Sequence, residues 1–165
     1  MSRSYYGSSI VFNSQTRDFV REFYTNFGEF WPSADGNYLF CSSRDIYRVS
    51  SLLSSSDYYI SPIGSFTPYP NQIYWIDHSA ASHSVWILSS SPDYYDNSRR
   101  EILQYEDNDY TRVKTYFYDD YYNGNPVQAH YVFANGTGSE LVVIKNIVSD
   151  NNLNDWSIEH VAVIK

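Results

Sequence analysis

The sequence predicts an all-β protein, a sandwich or a barrel, on three observations. Aromatic residues make up 19% of the chain and 18 of them are tyrosines; such residues suit a pleated, half-buried surface and keep a polar tip for water. Lysine, glutamate, alanine and leucine, the usual helix builders, are scarce. The second half divides into short apolar runs separated by turn-forming clusters at regular spacing, the pattern of stacked or closed sheets.

Taken in order, Ser9-Ile10-Val11-Phe12 opens a first strand. Residues 17–27 are ambiguous: Phe19, Val20, Phe23, Tyr24 and Phe27 recur at helical spacing and Asp18 suits a helix start, so a short helix is one reading. Gly28 and Pro32 close this stretch, and Asp35-Gly36 marks a turn. Residues 37–41 and 46–51 read as strands. Residues 54–70 hold Pro62, Gly64, Pro68 and Pro70 with Tyr58, Tyr59, Phe66 and Tyr69, which predicts a loop packed on the fold. Strands resume at 73–76 and 84–89, and Ser91-Pro92-Asp93 turns the chain. Residues 100–105, 111–118, 127–133, 139–145 and 157–164 complete the set. Alternation is only partial in 127–133, which predicts cover on both faces.

The length of 165 residues fits one domain or two small ones, enough to form a core without staples. The net charge of −8 and the pI of about 4.7 oppose contact with nucleic-acid phosphates. Arg99-Arg100, the densest basic point, reads as a solvated strand edge. The single cysteine, Cys41, rules out an intrachain disulfide and reads as a small buried hydrophobe. The N-terminal residues lack the apolar core of a secretory signal and no window has the length of a membrane span, so a cytoplasmic protein with no membrane partner is expected. Asn135-Gly136-Thr137 is a glycosylation sequon that reads as a turn, and Gly136-Thr137-Gly138 reads as a hairpin rather than a phosphate cradle.

Phe117, Tyr122 and Gly124 stand at aromatic, four residues, aromatic, one residue, glycine, around the polar turn Asp119-Asp120. Asn154-Asp155-Trp156-Ser157 then runs into an apolar closing strand. With this spacing, residues 73–165 resemble the βγ-crystallin superfamily, nearest to its divergent microbial and fungal members such as the abundant perithecial protein type. The resemblance implies a Greek-key β-sandwich with Phe117, Tyr122 and Gly124 as its structural corner. The unit around Pro92-Asp93-Tyr94-Tyr95-Asp96-Asn97 looks like a worn copy, with Asn97 at the glycine position. Residues 1–72 are then an N-terminal extension or diverged unit packed on that domain.

The same resemblance implies calcium, held by hard oxygen ligands. Asn154 and Asp155 match the family's Asn/Asp pair, but Ile158, Glu159 and His160 stand where its serine steps belong. Asp107, Asn108 and Asp109, preceded by Glu106, are the second loop candidate, with Asp119, Asp120 and Glu140 as added charge. Against this stands their ordinary use as turn formers, so the cofactor expectation is none, or weak calcium. Catalysis lacks a signal: no nucleophile elbow is present, and His78 and His83, five residues apart, have no second ligand pair at zinc spacing. His130 and His160 lie inside strands. Trp31, Trp75, Trp86 and Trp156 read as core or corner residues, with stacking on a sugar as the alternative. The function expected is therefore a non-catalytic structural, storage or stress-type protein. A calcium-binding module and a carbohydrate-binding or toxin-like recognition protein are the alternatives, and self-association or a glycan the partners.

Overall fold

The computed structural model describes residues 8–12, 16, 19–24, 27–54, 60–91, 100–147 and 156–163. These are mostly β. A hairpin pairs β1 (Ser8–Phe12) with β2 (Phe19–Tyr24). The helix expected over 17–27 is thus a strand where it is described: the aromatic and β-branched residues that recur at helical spacing are equally strand formers, and pairing with β1 decides between the two. The helix lies elsewhere, as the single turn-and-a-half α1 (Val49–Ser54) after β5 (Asp45–Arg48), so the strand expected over 46–51 ends early. No helix among the described residues is long and apolar enough to cross a membrane.

Three four-stranded antiparallel sheets follow. The first joins β3 (Phe30–Pro32), β4 (Tyr38–Cys41), β5 and β6 (Gly64–Ser65). The second joins β7 (Ile73–Ser79), β8 (Ser84–Ser90), β9 (Arg100–Glu106) and β10 (Arg112–Tyr116). The third joins β11 (Tyr121–Tyr122), β12 (Asn125–Ala134), β13 (Glu140–Ile147) and β14 (Trp156–Ala162). Within each sheet, neighbours in space are neighbours in sequence. These are meanders, and the crossing connection that defines a Greek key does not occur within them.

The second sheet is the middle of a stack. All seven residues of β8 are buried. Val85 and Ile87 join Phe40, Ile46 and Phe66 in a core shared with the first sheet, while Trp86 and Leu88 join Ala129, Val132, Leu141 and Val143 in a core shared with the third. Alternate side chains therefore supply opposite cores. Trp31, Phe40, Ile46 and Phe66 form one wall of the first core.

Two glycines fix local geometry. Asn123 (φ 51°) and Gly124 (φ 78°) make the two-residue turn between β11 and β12, the positive-φ pair that a tight hairpin needs. The aromatics beside it do not clamp it: Phe117 and Tyr122 are 58% and 44% exposed, and Tyr118 is the buried ring. Gly138 (φ 66°) closes the β12–β13 turn against the β7–β8 turn; a Cβ there would sit 2.2 Å from Ser82 Oγ. The third sheet thus meets the second at a point where only glycine fits.

Candidate functional site

Asp77 and His78 are adjacent on β7, so strand alternation sends them to opposite sides of the middle sheet. Asp77 Oδ2 accepts the backbone N–H of Ala134, at the end of β12, at 2.8 Å. His78 Nδ1 accepts the backbone N–H of Ala34, in the β3–β4 turn, at 3.0 Å. Two consecutive side chains tie the middle sheet to both neighbours. Burial raises the Asp77 carboxyl above its ordinary value, opposed by the N–H of Ala134 and of His78.

Because Nδ1 of His78 is an acceptor, its proton sits on Nε2, 3.2 Å from Asp107 Oδ2. His83 Nδ1 reaches the same oxygen at 3.4 Å. The two histidines are therefore brought together around the Asp107 carboxylate. Asp107 is fixed by this tie. Asp109 Oδ1 accepts the N–H of Thr111 at 2.9 Å, the turn-forming use of an acid, and Asn108 is exposed. Asp119 Oδ1 likewise accepts from the Tyr121 N–H, and Glu140 contacts His160 Nδ1 at 2.9 Å. Asn154 and Asp155 lie outside the described residues. Among the described residues no group of three or more His, Cys, Asp or Glu side chains is placed to hold a metal ion. Cys41 is buried, and burial, with the Asp45 charge behind it, pushes its thiol up to about 12.

An aromatic-lined cleft of about 350 Å³ lies where β3, β7 and β12 come side by side. Phe30 and Trp31 line it from β3, Tyr74 and Trp75 from β7, and His130 and Tyr131 from β12. Trp31 and Trp75 meet edge-on at 6.0 Å, as do Trp75 and Tyr131 at 4.9 Å. Beyond the cleft, Tyr131 lies near-parallel to Trp156 of β14 with centroids 6.4 Å apart, and His130 lies 5.2 Å from the same indole. Glu29 is at the exposed rim.

Arg100, at the start of β9, also lines this cleft and corrects the sequence expectation. It is not a solvated edge but is 9% exposed. Its guanidinium stands 3.7 Å over the Tyr74 ring and donates through Nη1 to the carbonyl of Ala129. Its Nε has no partner. Burial lowers the Arg100 pKa, and burial followed by the Arg100 charge lowers that of His130. Arg99 lies outside the described residues.

β14 carries the second signal. It buries Ser157 and turns Trp156 and Ile158 outward, 50% and 64% exposed. The usual polarity is inverted because the inward side holds an ion pair: Lys145 Nζ of β13, 3% exposed at its residue level, lies 2.5 Å from Glu159 Oε2 and donates to the Asp119 carbonyl at 3.1 Å. Of the four tryptophans, Trp31 and Trp86 are core, Trp75 is half-buried and Trp156 is a surface residue. Sequence reading assembled none of the cleft. A signal was present in the apolar outward positions of β14, but it shows only once the register is known.

No family model matches the chain, and no curated protein is similar to it in sequence. Among solved structures it is similar to a chain of Kuenenia stuttgartiensis hydrazine synthase, with a TM-score of 0.64 at 15% identity. The match covers 94% of this chain and 40% of that one. At that identity the likeness is one of fold.

Proposed function

We propose that this chain is a non-catalytic protein of structural type, in which stacked β-meanders form a rigid scaffold and the ionisable groups serve to join the sheets. One observation carries the reading: the place where two described histidines and an acid converge, His78, Asp107 and His83, is a tie between elements. Both ring nitrogens of His78 are engaged, at Ala34 and Asp107, so the ring has no free nitrogen with which to move a substrate's proton. Asp77 and Lys145 are engaged in the same way.

The same reading takes the meanders as blade-type repeats. Their first strands begin at Phe30, Ile73 and Tyr121, a repeat in the range of roughly 40–50 residues used by radial β architectures. Radial stacking supports a structural role, since each sheet is stabilised by its neighbours.

The test is thermal unfolding with and without millimolar calcium, with His78→Gln as the variant. A scaffold gives one cooperative transition indifferent to calcium and lowered by the variant. A rise in melting temperature with calcium would put cation binding first, since a ligand bound only to the native state stabilises it.

A further inference from the structure

We infer that the cleft between β3, β7 and β12 binds a uronic-acid sugar, its carboxylate held at Arg100 and its pyranose ring laid on the aromatic surface of Tyr131 and Trp156. Two independent features point there.

The first is an uncompensated cation. Arg100 is nine-tenths buried, and among the described residues no carboxylate pairs with it. The Tyr74 ring and the Ala129 carbonyl compensate it in part, and among the described residues its buried Nε has no partner. A buried charge in that condition is costly and is completed by an anion. A guanidinium on the cleft wall matches a carboxylate, which it would take from the cleft side, since Nε is closed to solvent and Nη1 donates to Ala129. Glu29, the one carboxylate on the cleft among the described residues, is exposed and makes no ion pair with Arg100.

The second is the aromatic surface leading out of the cleft. Tyr131 and Trp156 are 36% and 50% exposed and near-parallel. Ile158 extends the same apolar face of β14. Contiguous exposed apolar surface of this kind marks an interaction site. The shape of the wall selects the ring. Trp31 with Trp75, and Trp75 with Tyr131, meet edge to face, with planes 73° and 90° apart. Among the described lining residues no near-parallel pair of rings stands inside the cleft to sandwich a flat aromatic acid. The puckered C–H face of a pyranose needs only one aromatic face, and its hydroxyls are within the chemistry of His130 and Glu29. The net charge of −8 opposes long polyanions at a distance, so short uronates are favoured over polymers.

The experiment is a tryptophan-fluorescence and calorimetric titration of the whole chain. The probes are galacturonate and digalacturonate, glucuronate, the neutral parents galactose and glucose, and benzoate. The uronates should saturate, digalacturonate most tightly, with the neutral parents weaker by about tenfold for want of the charge-assisted contact. Arg100→Lys should weaken the uronates by about tenfold. Should that variant fail to fold, Tyr131→Ala and Trp156→Ala, both at exposed rings, should each weaken digalacturonate several-fold while leaving the melting temperature close to that of the parent. Any of four results overturns the inference: no saturable response to any uronate, equal affinity for the neutral parents, benzoate binding as tightly as the uronates, or unchanged affinity in both aromatic variants.

Discussion

β8 and β14 are strands of equal length in consecutive antiparallel meanders, yet they spend their side chains in opposite ways. Ser84–Ser90 is buried throughout, its odd and even positions feeding two separate cores. Trp156–Ala162 buries a serine, holds a glutamate against Lys145, and leaves a tryptophan and an isoleucine exposed. The difference comes from position in the stack. A strand covered on both faces can be apolar throughout, because every side chain finds a core. A strand at the end of the stack has one face in contact, and here that face is partly polar. The lesson is that apolar residues facing away from a sheet's own core mark a surface with another use.

The largest effect is expected at Trp86. This indole is fully buried and lies 5.6 Å from Tyr116 in the core between the second and third sheets. Trp86→Ala should cost about 3–5 kcal/mol, read by chemical denaturation. Trp86→Phe should cost much less, because the indole Nε1 has no hydrogen-bond partner to lose. Next comes the ion pair under β14. Glu159→Gln leaves Lys145 buried with only the Asp119 carbonyl and a neutral amide, and should cost about 1–3 kcal/mol in the same assay.

Smaller effects sharpen the picture. The Asp35 carboxylate in the β3–β4 turn accepts from Ser33 Oγ at 2.5 Å and from the Asn37 N–H at 3.0 Å, which lower its pKa from 3.8 to about 2. A depressed carboxyl stabilises the fold above its unfolded value, and that stabilisation is lost as pH falls through the folded one. Asp35→Asn should therefore flatten the loss of stability between about pH 4 and pH 2, by no more than about 0.5 kcal/mol because the group is exposed and screened. Trp156→Ala completes the contrast with Trp86: the same residue type, 50% exposed, should change stability by less than about 0.5 kcal/mol. Cys41 sharpens the first sheet. Its buried thiol should resist alkylation at neutral pH and react only as the chain unfolds, followed by mass spectrometry during a denaturant titration.

Much of the fold was legible. The runs expected at 84–89, 127–133 and 139–145 appear as Ser84–Ser90, Asn125–Ala134 and Glu140–Ile147, since aromatic and β-branched residues between turn formers leave few other choices. Gly124, expected as a corner residue, is the second residue of a two-residue hairpin turn with Asn123, while the polar turn was expected earlier, at Asp119-Asp120. Residues 19–24 were not legible, because their spacing satisfies helix and strand alike and only pairing with Ser8–Phe12 separates them. The cleft was illegible for a different reason. Its members come from β3, β7, β9 and β12, and Arg100 looked solvated because nothing local says that the third sheet covers it.

The sequence alone determined that this chain is built of short strands, where its tight turns fall, and that its cysteine is single and apolar in setting. These follow from local propensity and backbone geometry, which each residue carries with it. Only the tertiary structure decided that the sheets are meanders stacked in layers, that Arg100 and Lys145 are buried while Trp156 is not, and that aromatics from three sheets share one cleft. Those outcomes depend on which faces meet, and the meeting of faces is a property of contacts between residues far apart in the chain.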